Sequence, residues 1–352
     1  QGDNNHTDSA VGTVEVTIGK QSVTPQIELT PPSEQYDGNA KYPEVTVRDT
    51  QNNVIPKSEY KATYVSDSGE NWTDKGTYKV RVENITGGNY IVDTATADFT
   101  ISTSEQNPLE ITGKPGLVYY GDSFTLSAVG GSGNSKVTWS SSDEDIAEVD
   151  ANGFVTIKGA GSATITATKT GGGNYDTVTA DYPLSALPKP VTAIVTADDK
   201  VFDGKTDATL HVTWEKGALV GDDEIKTQTL TGAFADERVG TNKKVTFTCT
   251  FVADLTYAKY DITVPPDTAA SIFKADAAAP ALTANNREYD GSTQDLVTGG
   301  NASTTLYSGS RDGVYTATVP TGTNADTYTV WYKEKGDANH NDSEPQSIQV
   351  TI

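Results

Sequence analysis

The chain is 352 residues long, more than one ordinary core accommodates, and 35% of it is hydrophobic with 32 glycines, the balance expected of several small cores. A formal net charge of −22 opposes binding to phosphate backbones and anionic lipid, which excludes nucleic acid as a partner and leaves a self-repelling, acidic surface. No run approaches the ~18 apolar residues of a membrane helix, so no membrane insertion is expected; methionine is absent even at position 1, which reads as a processed or excised chain.

Taken in chain order, residues 1–12 are polar and small and are expected to form a disordered tail. From residue 13 onward the sequence runs in short Val/Thr/Tyr alternations bounded by Gly, Asn, Asp or Pro: GTVEVTI (12–18), GTYKVRV (76–82), SATITAT (162–168), KKVTFTCTF (243–251) and DTYTVWY (326–332). Nothing shows helical periodicity, and the chain is predicted to be all-β. The single cysteine, Cys249, excludes an internal disulfide; it shares one face of an alternating strand with Val245, Phe247 and Phe251 and is expected to be a buried, inert thiol.

The same punctuation returns down the chain. An aromatic with Asp-Gly stands at Tyr36-Asp37-Gly38, Phe202-Asp203-Gly204 and Tyr289-Asp290-Gly291, with a permuted Tyr120-Gly121-Asp122 between them, at spacings of 84, 82 and 87 residues. Each opening is followed by a closing turn, Asn89-Tyr90, Asn174-Tyr175, Lys259-Tyr260 and Asn339-His340, and then by a last strand. Units of about 85 residues, each with some seven short strands, predict four tandem immunoglobulin-like β-sandwiches in an elongated arrangement, over 13–103, 104–187, 188–275 and 276–352. Short proline-bearing segments near residues 102–108, 186–190 and 274–280 separate them.

The stretch VTWSSSDEDIAEVDANGFVTIKGAGSATITAT (137–168) resembles group 2 bacterial immunoglobulin-like domains, the kind found in intimin- and invasin-type surface proteins. KVFDGKTDATL (200–210) resembles the bacterial YDG domain, and NNREYDGSTQDLV (285–297) is similar to the "mostly bacterial" immunoglobulin-like repeats, to which EQYDGNAKYPEVTV (34–47) looks related. The resemblance implies an extracellular segment on a bacterial, Gram-positive surface.

The recurring turns have a mechanical reading that needs no ligand: Asp-Gly and Gly-Asn pairs supply positive φ at tight turns, and the neighbouring aromatic plugs the end of a sandwich. Tyr36, Asp37, Gly38, Asn89, Tyr90, Asn174, Tyr175, Phe202, Asp203, Gly204, Tyr289, Asp290 and Gly291 are therefore expected to be structural. Trp139 is expected in a core. Trp72, flanked by polar residues in SGENWTDKG, and Trp331, between Val330 and Tyr332, are the candidate platforms for a sugar face. The three histidines, His6, His211 and His340, lie too far apart for zinc spacing or a local triad, and no nucleophile, phosphate-loop or metalloprotease motif occurs, so neither catalysis, cofactor nor metal is expected. Asp143-Glu144-Asp145 and Asp222-Asp223-Glu224 read as solvated acidic loops. The favoured function is a non-enzymatic stalk or adhesin rod, monomeric, with a host or cell-wall glycan or a protein as its ligand. The alternative is a glycan-binding accessory module of a large extracellular carbohydrate-active enzyme.

Overall fold

The computed structural model describes residues 10–65 and 72–352. Its regular structure is all-β apart from two single-turn 3-10 segments, Lys57–Glu59 and Tyr257–Lys259. The chain divides into two compact units: unit 1 runs as far as Val118 together with Asp122–Ala186, and unit 2 is Tyr119–Gly121 with Leu187–Ile352. The expected tail falls largely on residues 1–9, which lie outside the described residues, as does His6.

In unit 1 the strands Gln26–Thr30, Glu44–Arg48 and Val54–Ile55 form one sheet, and Ser33–Gln35, Ala95–Ser102, Gly76–Asn84 and Tyr60–Val65 form another. Strict alternation in Gly76–Asn84 turns Tyr78, Val80 and Val82 inward and Thr77, Lys79 and Arg81 outward. Between the sheets lies a core of Val47, Val80, Val82, Phe99 and Ile101, each at most 1% exposed. A separate core of Leu126, Val155, Ile157, Ile165 and Ala167 fills the later part of unit 1, and Trp139 packs against its side. There the long hairpin Gly161–Gly171 with Tyr175–Leu187 is antiparallel, and Val137–Ser141 flanks it.

In unit 2 a five-stranded sheet orders Lys200–Val201, Asp267–Phe273, Gly240–Phe251, Thr227–Phe234 and Asp207–Ala208. Two apolar clusters serve this part, one around Phe234, Val245, Ala270 and Ile272, the other around Tyr120, Val191, Phe251 and Tyr260. Cys249 lies half-buried against the second cluster, and burial raises its thiol pKa. The last part pairs Thr305–Ser308, Thr327–Glu334 and Gln346–Thr351 over a core of Leu296, Val297, Tyr307, Val330 and Val350.

One expected strand does not form. Residues 12–18, read from GTVEVTI as an alternating strand, pair with nothing among the described residues, and every residue from 10 to 20 is exposed. Alternation marks a strand that fits a half-buried sheet, but a sheet must be there to receive it.

Candidate functional site

The opening turns share one construction. Asp37, Asp203 and Asp290 each accept from the backbone N–H two residues on, at Asn39 (2.8 Å), Lys205 (3.0 Å) and Ser292 (2.8 Å). The glycine between them sits at φ of 84°, 70° and 74°, a region an L side chain resists, which is why glycine follows the aspartate. Lys41 beside Asp37 holds that carboxyl below the usual carboxylate range, and Lys200 does the same for Asp203. The aromatic before the turn feeds its N–H into the last strand: Tyr36 to Ser102 O (2.9 Å), Tyr120 to Leu187 O (2.9 Å), Phe202 to Phe273 O (2.8 Å).

Two residues beyond each of those acceptors, the chain meets a closing turn in parallel register. Ser104 pairs with Tyr175, Lys189 with Tyr260 and Ala275 with His340. This brings opening and closing aromatics face to edge. Tyr36 and Tyr175 stand 5.3 Å apart at 81°, Tyr120 and Tyr260 5.5 Å at 88°, Phe202 and His340 5.1 Å at 87°. Edge-to-face pairs of this kind contribute ~0.5–1.5 kcal/mol beyond the area they bury. The first pair belongs to unit 1 and the other two to unit 2.

The asparagine before the closing aromatic clamps the joint. Asn174 Oδ1 accepts from Lys75 N (2.9 Å) while its Nδ2 donates to Asp74 (2.7 Å). Asn339 Oδ1 accepts from Val239 N (3.1 Å). Lys75 and Val239 hold the same place, each just before the glycine of a late strand. Where lysine replaces asparagine, Lys259 Nζ lies over the Tyr120 ring at 4.8 Å. Here the hydroxyls of Tyr120 and Tyr260 both donate to Asp223 Oδ2, at 2.8 and 2.7 Å. Burial, then the Asp223 carboxylate, pushes Tyr120 up to about 12; burial likewise raises Tyr260 strongly.

Sequence reasoning placed all these residues in turns and missed that they meet. A signal was present: the partners are separated by 139, 140 and 138 residues (36 to 175, 120 to 260, 202 to 340). It also missed Asp223, read as part of a solvated loop, because no one-dimensional pattern announces two hydroxyls arriving from residues 120 and 260.

The expectation of an outward Trp72 is corrected. Its side chain is 2% exposed, with Tyr42, Tyr64, Tyr78 and Phe99 around the ring at centroid distances of 4.9–6.0 Å. Polar flanks suggested a loop tip, but an aromatic ring of this size is drawn into an available apolar cluster, leaving no face for a sugar. Trp331 lies half-buried in Thr327–Glu334, between Ser308 and Ser347 on the neighbouring strands. Asp143 closes a local turn onto Asp145 N (3.0 Å). Among the described residues no group of three or more His, Cys, Asp or Glu is arranged to hold a metal ion, and no helix is long and apolar enough to cross a membrane.

Two family models match parts of the chain: the intimin immunoglobulin-like domain over residues 119–171 and the YDG domain over residues 187–269. No curated protein matches. Among solved structures, intimin of EHEC O157:H7 is 24% identical over 29% of this chain and 54% of its own, with a TM-score of 0.20. The surface layer protein SbsC, domains 1–6, is 15% identical over 94% and 53% (TM-score 0.23), and invasin, a bacterial integrin-binding protein, 14% over 94% and 79% (0.25). The chain spans about half the length of those intimin and SbsC structures. With two family models matched over adjacent segments of an all-β chain, this protein carries bacterial immunoglobulin-like domains in tandem.

Proposed function

We propose that the chain is a non-enzymatic structural and adhesive segment of a bacterial surface protein, outside the cell, built of four sandwiches over 13–103, 104–187, 188–275 and 276–352. The observation that carries this reading is the repeated joint. Three times an opening aromatic, a strand carbonyl and a closing aromatic are linked in the same order and register. A flexible string of beads has no need of such a device. A segment that bears load or presents a surface does, because the Tyr36–Tyr175 joint inside unit 1 and the Phe202–His340 joint inside unit 2 remove orientational freedom that would otherwise oppose binding at a distance. The match to the intimin immunoglobulin-like domain supports an adhesive setting.

Stretching single molecules of the 352-residue chain tests the module count. Four unfolding events are expected, each releasing roughly 30 nm, the contour of about 85 residues at ~3.5 Å each. Two events of double length, or one continuous transition, would overturn the four-module reading.

A further inference from the structure

Residues 12–19 match, position for position, the closing strands of the sandwiches they precede. In three closing strands the two residues placed three and one before the strand-end position are buried, Phe99 and Ile101, Leu184 and Ala186, Ala270 and Ile272, and the last strand buries Val350 and Ile352 with the same spacing, none above 8% exposed. The strand-end residue comes two before the partner of a closing aromatic: Ser102 before Ser104, Leu187 before Lys189, Phe273 before Ala275. At the start of unit 1, Gln21 pairs in parallel with Tyr90, so the strand-end position is Gly19. Its buried places then fall on Val16 and Ile18, yet these are 80% and 92% exposed, and Val14 is 86% exposed. The sequence agrees with the register: TVEVTI (13–18) reads like SIQVTI (347–352), the closing strand over Val350 and Ile352.

The closing turn beside it is also ready-made. Glu59, buried, accepts from the N–H groups of Asn89 (2.6 Å) and Tyr90 (3.3 Å), as Asp337 accepts from those of Asn339 (2.7 Å) and His340 (2.8 Å) at one of the seated turns. Asn174 and Asn339 are each engaged by the backbone ahead of a glycine-led strand, and Tyr175 and His340 by an opening aromatic.

We infer that residues 12–19, in place of opening the first sandwich, are the closing strand of a further immunoglobulin-like module, whose other strands precede them in the same polypeptide and whose opening aromatic receives Tyr90, so that the first sandwich starts after Gly19. The inference rests on the modular reading above. An orphan stripe of three exposed branched apolar side chains in perfect alternation is otherwise a liability for aggregation, and a sheet short of one strand is the surface that removes it.

The test begins with the coding sequence upstream. An aromatic followed by Asp-Gly or Gly-Asp is expected about 65 to 70 residues before Gly19, as Tyr36, Tyr120 and Phe202 stand 66, 67 and 71 residues before Ser102, Leu187 and Phe273. In the longer natural polypeptide the amides of residues 14–18 are expected to exchange hydrogen roughly a hundredfold more slowly than in the 352-residue chain, and Val16→Asp to abolish that protection without changing exchange at Val350. A second arm places a copy of residues 275–346 directly ahead of Thr13, so that TVEVTI stands where SIQVTI stood; the same protection is expected. Absence of the upstream turn, or amides 14–18 exchanging equally fast in both lengths and in the graft, overturns the inference. Because the stretching experiment uses the 352-residue chain alone, four events there with fast exchange at 14–18 in the longer forms would leave the four-module reading standing while this inference falls.

Discussion

The ring pair of unit 1 and the tyrosine pair of unit 2 solve one problem with different chemistry. Tyr36 and Tyr175 are half-buried and rely on a neutral clamp, Asn174, which reads a backbone N–H and the Asp74 carboxylate. Tyr120 and Tyr260 are 6% and 5% exposed, and their two hydroxyls converge on the one carboxylate of Asp223, with Lys259 over the ring. The first arrangement tolerates water and loses little when one bond breaks. The second concentrates its stability in a single half-buried carboxylate, because a desolvated hydroxyl without an acceptor is more costly than a bond is favourable.

The largest expected difference between the two joints comes from that acceptor. Asp223→Ala takes the acceptor from two buried hydroxyls, leaving Tyr260 only the N–H of Val220 (2.8 Å), and is expected to destabilise unit 2 by ~2–4 kcal/mol, seen in calorimetry as a lowered transition of unit 2 with that of unit 1 unmoved. Equal lowering of both transitions would erase the contrast.

Alkaline pH probes the same site without mutation. Tyr120 has a folded pKa near 12 against an ordinary 10.0, so its stabilisation is complete below about 10 and is lost as pH rises through about 12. The melting temperature of unit 2 is expected to fall across that window, and Tyr120→Phe to shrink the fall. In acid the comparison closes. Asp37 in unit 1 is held low chiefly by Lys41, and Asp337 in unit 2 by the Asn339 N–H and then His340. Each contributes stability above its ordinary carboxylate pKa that disappears as pH drops through the depressed one, so both units are expected to weaken below about pH 4.

Smaller effects sharpen the neutral clamp. Asn174→Ala removes two hydrogen bonds and is expected to destabilise unit 1 by about 1 kcal/mol, and Asn339→Ala to act on unit 2 by no more than this, since only one bond to Val239 is lost. Smallest of all, Trp331→Ala on the outer sheet face is expected to change stability by under about 1 kcal/mol; a glycan array comparing it with the parent chain then decides whether that ring binds sugar, and identical arrays would end the platform reading.

Much of this was legible in one dimension. Alternation in GTYKVRV marked a strand, and the aromatic-Asp-Gly phrases marked turns, because both depend only on neighbours two or three residues away. Trp72 was misplaced for the converse reason: its local context is polar, and only residues 42, 64, 78 and 99, brought together by the sheets, enclose it. The strand expected from GTVEVTI shows a third case: the alternation is present, but no sheet among the described residues receives it and no strand forms.

By itself the sequence determined the all-β character, the repeat and the positions of the turns, since backbone stereochemistry at Asp-Gly and period-two alternation are local properties of the chain. Tertiary structure alone decided what the turns are for. Rings nearly 140 residues apart in sequence become partners only when a parallel register carries one closing turn onto an opening turn, and Asp223 becomes a shared acceptor only when burial leaves two hydroxyls no water to bond.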